Sequence, residues 1–377
     1  MSSYRPVIER VEATNEGALV TFAGNPAPEL LTWFWIRDHS QDEHSLNLAT
    51  LQRQVDTFSL APTPLPGTVQ RSQIGDLQVT WGDGTQARLS ADLIWSTRRH
   101  DSPESGVQLW PSGTPAVPEP ITFAEVVSGS DGLRRLLVQV RDLGFGVVND
   151  LPPTQAGAYE LASQIGPPRS TIFGTMWPLS SSVQAHDDTA YSMSYLEPHT
   201  DSTYCHDAPG LQLFCCLERD GVGGDSILVD GFAIAEAMRK EVPEDFATLT
   251  TVAVPGQYLE AGVHLRAERP AIRLDAAGRV VQVSLNNYDR APFRLPEPAM
   301  TDFYRAYREL HRRVVDRSAW FTVRLEPGQA LVFDNWRTLH GRLAYSGSRV
   351  FEGCYHNRED FESKLRVLGE SVGGPDR

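Results

Sequence analysis

Cysteine is scarce in this chain. Its 4 cysteines, Cys205, Cys215, Cys216 and Cys354, are too few and too clustered for a disulfide framework, and none forms a CxxC pair. A reducing, cytoplasmic compartment is the expectation. Positive charge is also short: 34 Lys and Arg stand against 48 Asp and Glu, for a net charge of −14. The basic footprint of a nucleic-acid binder is missing, so no nucleic-acid partner is expected. There is no uncharged apolar run of the ~18 residues a membrane helix needs, so no membrane partner is expected either. Met1 is followed by Ser2, Ser3, Tyr4 and Arg5, not by a charged region leading into an apolar one, which fits a soluble protein made without a Sec-type signal. No internal repeat is present.

What is there suffices for a sizeable core, with 41% hydrophobic residues in 377. That length suggests two domains or one large one. Residues 1–100 read as a small β-rich domain, with strands at Ala18 to Phe22, Leu31 to Ile36, and Leu77 to Trp81 paired with Gln86 to Leu89 across Gly82-Asp83-Gly84. Residues 101–120 carry Pro103, Pro111, Pro115, Pro118 and Pro120, the composition of a stiff, exposed linker. The rest, 121–377, mixes helices at Asp131 to Leu143 and Pro298 to Asp316 with strands at Phe145 to Val148, Trp320 to Leu325, Ala330 to Phe333 and Val350 to Tyr355. The fold class expected is mixed α/β, mainly β, with a sandwich-like core and flanking helices.

The chemistry gathers around His199-Thr200-Asp201 and, far along the chain, His340. A histidine and an aspartate two apart on a strand share a face, and a histidine on a neighbouring strand would complete three ligands. Two imidazoles and one carboxylate leave coordination positions open, as an Fe(II) oxygenase requires. By spacing alone, a strand-end histidine paired with a carboxylate explains the motif as well. Gly223-Gly224-Asp225-Ser226 and Ser348-Arg349 follow in the order a second binding element would need. An arginine fork with a hydroxyl suits the far carboxylate of a 2-oxoacid, although Arg349 alone would read as a solvated strand residue.

With Met176-Trp177, Asp188-Thr189-Ala190-Tyr191, Val229-Asp230-Gly231-Phe232, Asn286 to Ala291 and Asp334 to Arg342 added in order, the chain resembles the γ-butyrobetaine and trimethyllysine dioxygenases. The resemblance implies a double-stranded β-helix (jelly roll) as the catalytic core. It implies Fe(II) on His199, Asp201 and His340, and 2-oxoglutarate as cosubstrate on Arg349 and Ser226. Arg141 is the nearest stand-in for a family lysine contact. The family's N-terminal module carries a zinc site of three cysteines and a histidine, but the matching stretch here, Arg37 to Ser45, has only His39 and His44, so the zinc is expected to be lost. A homodimer is expected by the same resemblance.

A trimethylammonium group donates no hydrogen bond, so aromatic faces recognise it. By the resemblance, Trp177, Tyr191 and Tyr355 match the family's cage positions and Phe173 occupies a fourth, although any one of them alone is more often core than cage; Tyr204 is a further candidate substrate contact. Asp188 occupies the position that is Asn in butyrobetaine-type and Asp in trimethyllysine-type enzymes. Asn286, Asn287, Arg290 and Arg294 could serve the other end of the substrate, unless the arginines lie on a solvated loop. The partners expected are therefore dioxygen and a small trimethylammonium substrate: γ-butyrobetaine, trimethyllysine or 2-trimethylaminoethylphosphonate. A zinc hydrolase on the same triad and a catalytically inactive jelly-roll binding protein are the alternatives. Cys215 and Cys216 sit in an apolar run and read as structural.

Overall fold

The computed structural model describes residues 6–61, 66–97, 106–110, 119–180 and 192–369. It divides into two compact units at Pro103 and Glu104. Asp188 and Tyr191, and most of the proline-rich stretch, lie outside the described residues.

The first unit contains two three-stranded antiparallel sheets, Ile8–Ala13, Gly17–Phe22 and Asn25–Thr32 in one, and Pro66–Arg71, Leu77–Trp81 and Gln86–Leu89 in the other. Their alternate residues bury Ile8, Val20, Phe22, Leu77, Val79, Trp81 and Leu89 in one core. Leu31 to Ile36 is not a strand. The strand ends at Thr32, whose hydroxyl caps the helix Trp33–Asp38 by accepting from the Trp35 amide, and Trp33 and Ile36, one turn apart, face the core. His39 stacks on Trp35 with ring centroids 4.4 Å apart, its Nδ1 2.9 Å from the Trp35 carbonyl.

The second unit is mainly β with helices on both outer faces. A six-stranded sheet runs in the order Ile121–Thr122, Phe145–Asn149, Ala330–Asp334, Leu211–Gly223, Tyr345–His356, Trp177–Ser180. A four-stranded sheet runs Leu196–His199, Thr338–Arg342, Ser226–Asp230, Phe321–Val323. Every pairing is antiparallel except that of the two-residue edge strand Ile121–Thr122. The chain switches sheets at tight corners. Between Leu211–Gly223 and Ser226–Asp230 the corner needs positive φ at Gly223 (81°) and Gly224 (74°), and a Cβ at Gly223 would sit 2.3 Å from the Ala344 carbonyl oxygen.

The period-two alternation of these strands sorts their side chains into three layers. Leu211, Leu213, Cys215, Ala330, Val332 and Cys354 point outward onto the helices Ser130–Leu143, Gln155–Ile165 and Arg358–Val367. Ile227, Val229 and Leu339 point outward from the smaller sheet onto Gly231–Glu241, Pro243–Thr251 and Ala299–Val314. Between the sheets, Phe145, Cys216, Leu228, Leu331, Phe333 and Phe351 make an apolar floor. The buried Cys215 and Cys216 thus belong to two different cores. Burial pushes both thiols up, Cys216 to about 11, so neither is a ready nucleophile. Trp110, within the stretch read as linker, is buried, its indole N–H donating to the Leu143 carbonyl at 2.8 Å.

Candidate active site

The cavity between the two sheets opens beside the register position His199↔His340, where two antiparallel strands place both imidazoles side by side with ring centroids 4.5 Å apart. Asp201 lies beyond the strand, which ends at His199, and not on it. A turn brings the carboxylate back, with Ser202 at φ 58°. Thr200 anchors this turn by exchanging hydrogen bonds with Leu285, N–H to carbonyl at 2.8 Å and Leu285 N–H to hydroxyl at 3.0 Å. Asn335, fully buried, accepts from the Asp201 amide at 2.9 Å and donates to the Asp201 and Pro209 carbonyls at 3.3 and 3.0 Å. The asparagine in Asp334-Asn335-Trp336-Arg337 is therefore a clamp on the aspartate, a role its position in the motif did not disclose.

The three donor atoms lie within 4.8 Å of one another. His199 Nε2 is 3.2 Å from Asp201 Oδ1, and His340 Nε2 is 3.6 Å from Asp201 Oδ2. His199 donates its Nδ1–H to the Glu197 carbonyl at 2.7 Å, which turns Nε2 toward Asp201; burial works against protonation of this ring, but the hydrogen bond and charge of Asp201 outweigh it and push His199 up. Burial pushes the His340 imidazole down to about 3, so it is neutral. Burial alone would raise Asp201, but the hydrogen bonds from His199 and from the Tyr355 hydroxyl, which donates to Oδ2 at 2.8 Å, outweigh it and hold the carboxyl below its usual range. His340 is thus neutral and Asp201 ionised, as a metal needs, and a metal would take the place of the proton between His199 and Asp201. The N,N,O donor set fits Fe(II).

Several buried polar atoms of the described lining have no hydrogen-bond partner, among them Trp177 Nε1, Gln212 Oε1, His340 Nδ1 and Arg349 Nε. Buried polar groups are almost always paired, so such a concentration marks a ligand site. Arg349 is the clearest case. It is 8% exposed, and its guanidinium carbon lies 3.7 Å from the Phe351 ring centroid. Burial and then the Arg342 charge pull it down to about 10, still cationic at neutral pH. A buried cation facing a cavity calls for an anion. Ser226 and Arg342 line the same cavity. Arg342 NH2 also donates to the Ser192 and Ser194 carbonyls, the latter at 3.2 Å.

Of the residues named from sequence as substrate contacts, Phe173, Trp177, Tyr204, Asn286 and Tyr355 line the cavity. Trp177 lies across Gly353, where a Cβ would come within 2.3 Å of the indole, and its ring meets Tyr355 at 5.2 Å. Three expected contacts are not brought here. Arg141 is at the end of the helix Ser130–Leu143, its guanidinium on Asp142 at 2.7 Å, where a cation meets the carbonyl end of a helix. Asn287 is exposed and accepts from Arg290 at 3.3 Å, and Arg290 lies over Tyr307 at 5.7 Å. Instead Gln212, Phe214, Tyr288, Asp289 and Arg342 line the cavity. Gln212 had a legible signal, being the one amide in the apolar run 211–217.

Residues 111–355 match the family described as "Taurine catabolism dioxygenase TauD, TfdA family". The chain belongs to the TauD/TfdA dioxygenase family. Among its relatives, mitochondrial trimethyllysine dioxygenase of Bos taurus is 33% identical over 352 residues, covering 89% of this chain and 82% of that one. Gamma-butyrobetaine dioxygenase of Pseudomonas sp. (strain AK-1) is 33% identical over 347 residues, covering 89% of each. A solved asparagine oxygenase in complex with Fe(II), 2S,3S-3-hydroxyasparagine and succinate aligns with a TM-score of 0.48 at 15% identity, over 62% of this chain and 82% of that one. TauD/TfdA membership, with the triad complete, favours a dioxygenase over the zinc hydrolase and the inactive binding protein. Among the described residues no helix is long and apolar enough to cross a membrane.

Proposed function

We propose that this TauD/TfdA member hydroxylates a small trimethylammonium compound, using Fe(II) and 2-oxoglutarate on a double-stranded β-helix core. The observation that carries the reading is one cavity with three regions: the triad, the buried and unpaired Arg349, and the aromatic surface of Trp177 and Tyr355. His199, Asp201 and His340 would hold the iron, which with 2-oxoglutarate and dioxygen supplies the oxidising power, releasing succinate and CO2. The chain does the rest. Arg349 and Ser226 fix the cosubstrate's far carboxylate, the aromatic faces hold the cation so that one methylene lies near the metal, and the apolar floor keeps water out.

Relatives of both the trimethyllysine and the γ-butyrobetaine type are equally similar at 33%, so identity does not choose the substrate. The lining does favour one. Asp289 accepts from Asn286 Nδ2 at 2.8 Å and both line the cavity, a combination that suits the α-ammonium of trimethyllysine better than a lone carboxylate or phosphonate.

A crossed titration tests the division of the cavity. Arg349→Leu is expected to weaken 2-oxoglutarate binding roughly 10- to 150-fold, the range of a charge-assisted hydrogen bond, with trimethyllysine binding little changed. Trp177→Ala is expected to do the reverse, leaving iron and 2-oxoglutarate in place. Equal loss of all three ligands in the Trp177 variant would make that residue structural and remove the support for a cation site.

A further inference from the structure

Gln212 is the strongest unassigned feature of the cavity. It is 1% exposed, lines the cavity, and has a buried amide oxygen without a partner. Such an oxygen costs about 1–3 kcal/mol unless something in the bound state pairs with it. Its placement says which ligand that is. Across the sheet Gln212 stands opposite Tyr355, and Phe214, next on the same face, stands opposite Gly353, over which the Trp177 ring lies. Trp177 also meets Phe214 edge-on at 5.9 Å. Gln212 therefore sits in one patch with Trp177, Phe214 and Tyr355. Arg349 is six residues before Tyr355 on the same strand, and its guanidinium lies over Phe351, four residues before Tyr355 or about 13 Å along the strand at the ordinary rise. The amide thus belongs to the aromatic end of the cavity, apart from the arginine that would take the cosubstrate's far carboxylate.

We propose that the Gln212 side-chain carbonyl completes the cation subsite, its oxygen resting against the N-methyl groups of the trimethylammonium while aromatic faces cover the rest. A quaternary ammonium offers no N–H, but its positive charge is spread over its methyl hydrogens, which make C–H···O contacts with a carbonyl at about 3.3–3.6 Å. An amide dipole adds to the attraction of the aromatic faces without the cost of burying a second full charge beside Asp201. The unpaired oxygen is then satisfied by the substrate itself. This inference rests on the trimethylammonium reading above.

The test compares charge with shape. Each of γ-butyrobetaine, trimethyllysine and 2-trimethylaminoethylphosphonate is titrated anaerobically into iron- and 2-oxoglutarate-loaded protein, and so is a matched compound with tert-butyl in place of trimethylammonium. For the tightest-binding probe, Gln212→Leu is expected to weaken the charged compound about tenfold, while its tert-butyl counterpart and 2-oxoglutarate move less than about twofold. Gln212→Glu, which keeps the oxygen and the shape, is expected to raise the preference for the charged over the uncharged compound, and this ratio decides the matter if the leucine variant does not fold. Equal weakening of both compounds, loss of 2-oxoglutarate affinity, or an unchanged ratio in both variants overturns the role of Gln212 while leaving the cation site standing. If the unaltered protein binds none of the three charged probes, the trimethylammonium reading itself fails and this inference with it.

Discussion

Replacing His340 by alanine is expected to abolish iron binding and turnover while leaving the fold in place. Removing an outer partner of a metal ligand typically costs about 10–100-fold in metal affinity, so losing a direct ligand from a three-ligand set costs more than about 100-fold. The chain around it has no comparable substitute: among the described residues the only cluster of three potential ligands is His199, Asp201 and His340. The fold should survive because the lost ring is neutral, burial having pushed it down to about 3. Its neighbours Phe333 and Phe214, 4.8 and 5.9 Å away between centroids, pack on other strands of the same core. Metal content after anaerobic loading, read beside circular dichroism and the denaturant midpoint, checks this. Full iron occupancy in a folded variant would take His340 out of the ligand set.

Arg337→Ala is expected to have the opposite profile, a large loss of stability with the site chemistry intact in whatever protein remains folded. Arg337 and Asp230 are each 1% exposed and form a two-pronged ion pair at 3.1 and 2.8 Å. The remaining guanidinium donors reach the Asp142 carbonyl at 2.9 Å and the Gln108 carbonyl at 2.6 Å, so one side chain ties together the Ser226–Asp230 strand, the end of the helix Ser130–Leu143 and the segment 106–110. Asp230 meanwhile caps the helix Gly231–Glu241, accepting from the Phe232 and Ala233 amides, and takes the Trp110 amide at 3.1 Å. Deleting one member of a buried pair strands the other, at about 3–5 kcal/mol. For a unit of this size that is a fall in Tm of roughly 10 °C. A denaturant midpoint within error of the unaltered protein would contradict it.

Much of the site was legible because its signals are local. His199, Asp201, His340, Ser226 and Arg349 were marked by residue type and order, and alternation along the Leu211–Gly223 and Tyr345–His356 strands places Phe214, Tyr355 and Arg349 inward. What escaped depends on partners distant in sequence. Leu31 to Ile36 read as a strand because its apolar residues are dense, whereas the Thr32 cap starts a helix at Trp33. Asn335 and Arg337 stood in a recognisable motif, yet only the contacts with Asp201 and Asp230 reveal one as a clamp and the other as a tie. Arg141 and Arg290 are not among the residues lining the cavity: Arg141 holds Asp142, and Arg290 meets Asn287 and Tyr307.

The most direct test of the whole account is succinate formation from 2-oxoglutarate by anaerobically iron-loaded protein admitted to air, with trimethyllysine, γ-butyrobetaine and 2-trimethylaminoethylphosphonate supplied separately. Succinate well above the substrate-free rate with one of them, trimethyllysine first, is the expected result. No stimulation by any of the three, in protein that holds iron and 2-oxoglutarate, would contradict the trimethylammonium assignment and leave Trp177, Tyr355 and Gln212 to serve another ligand.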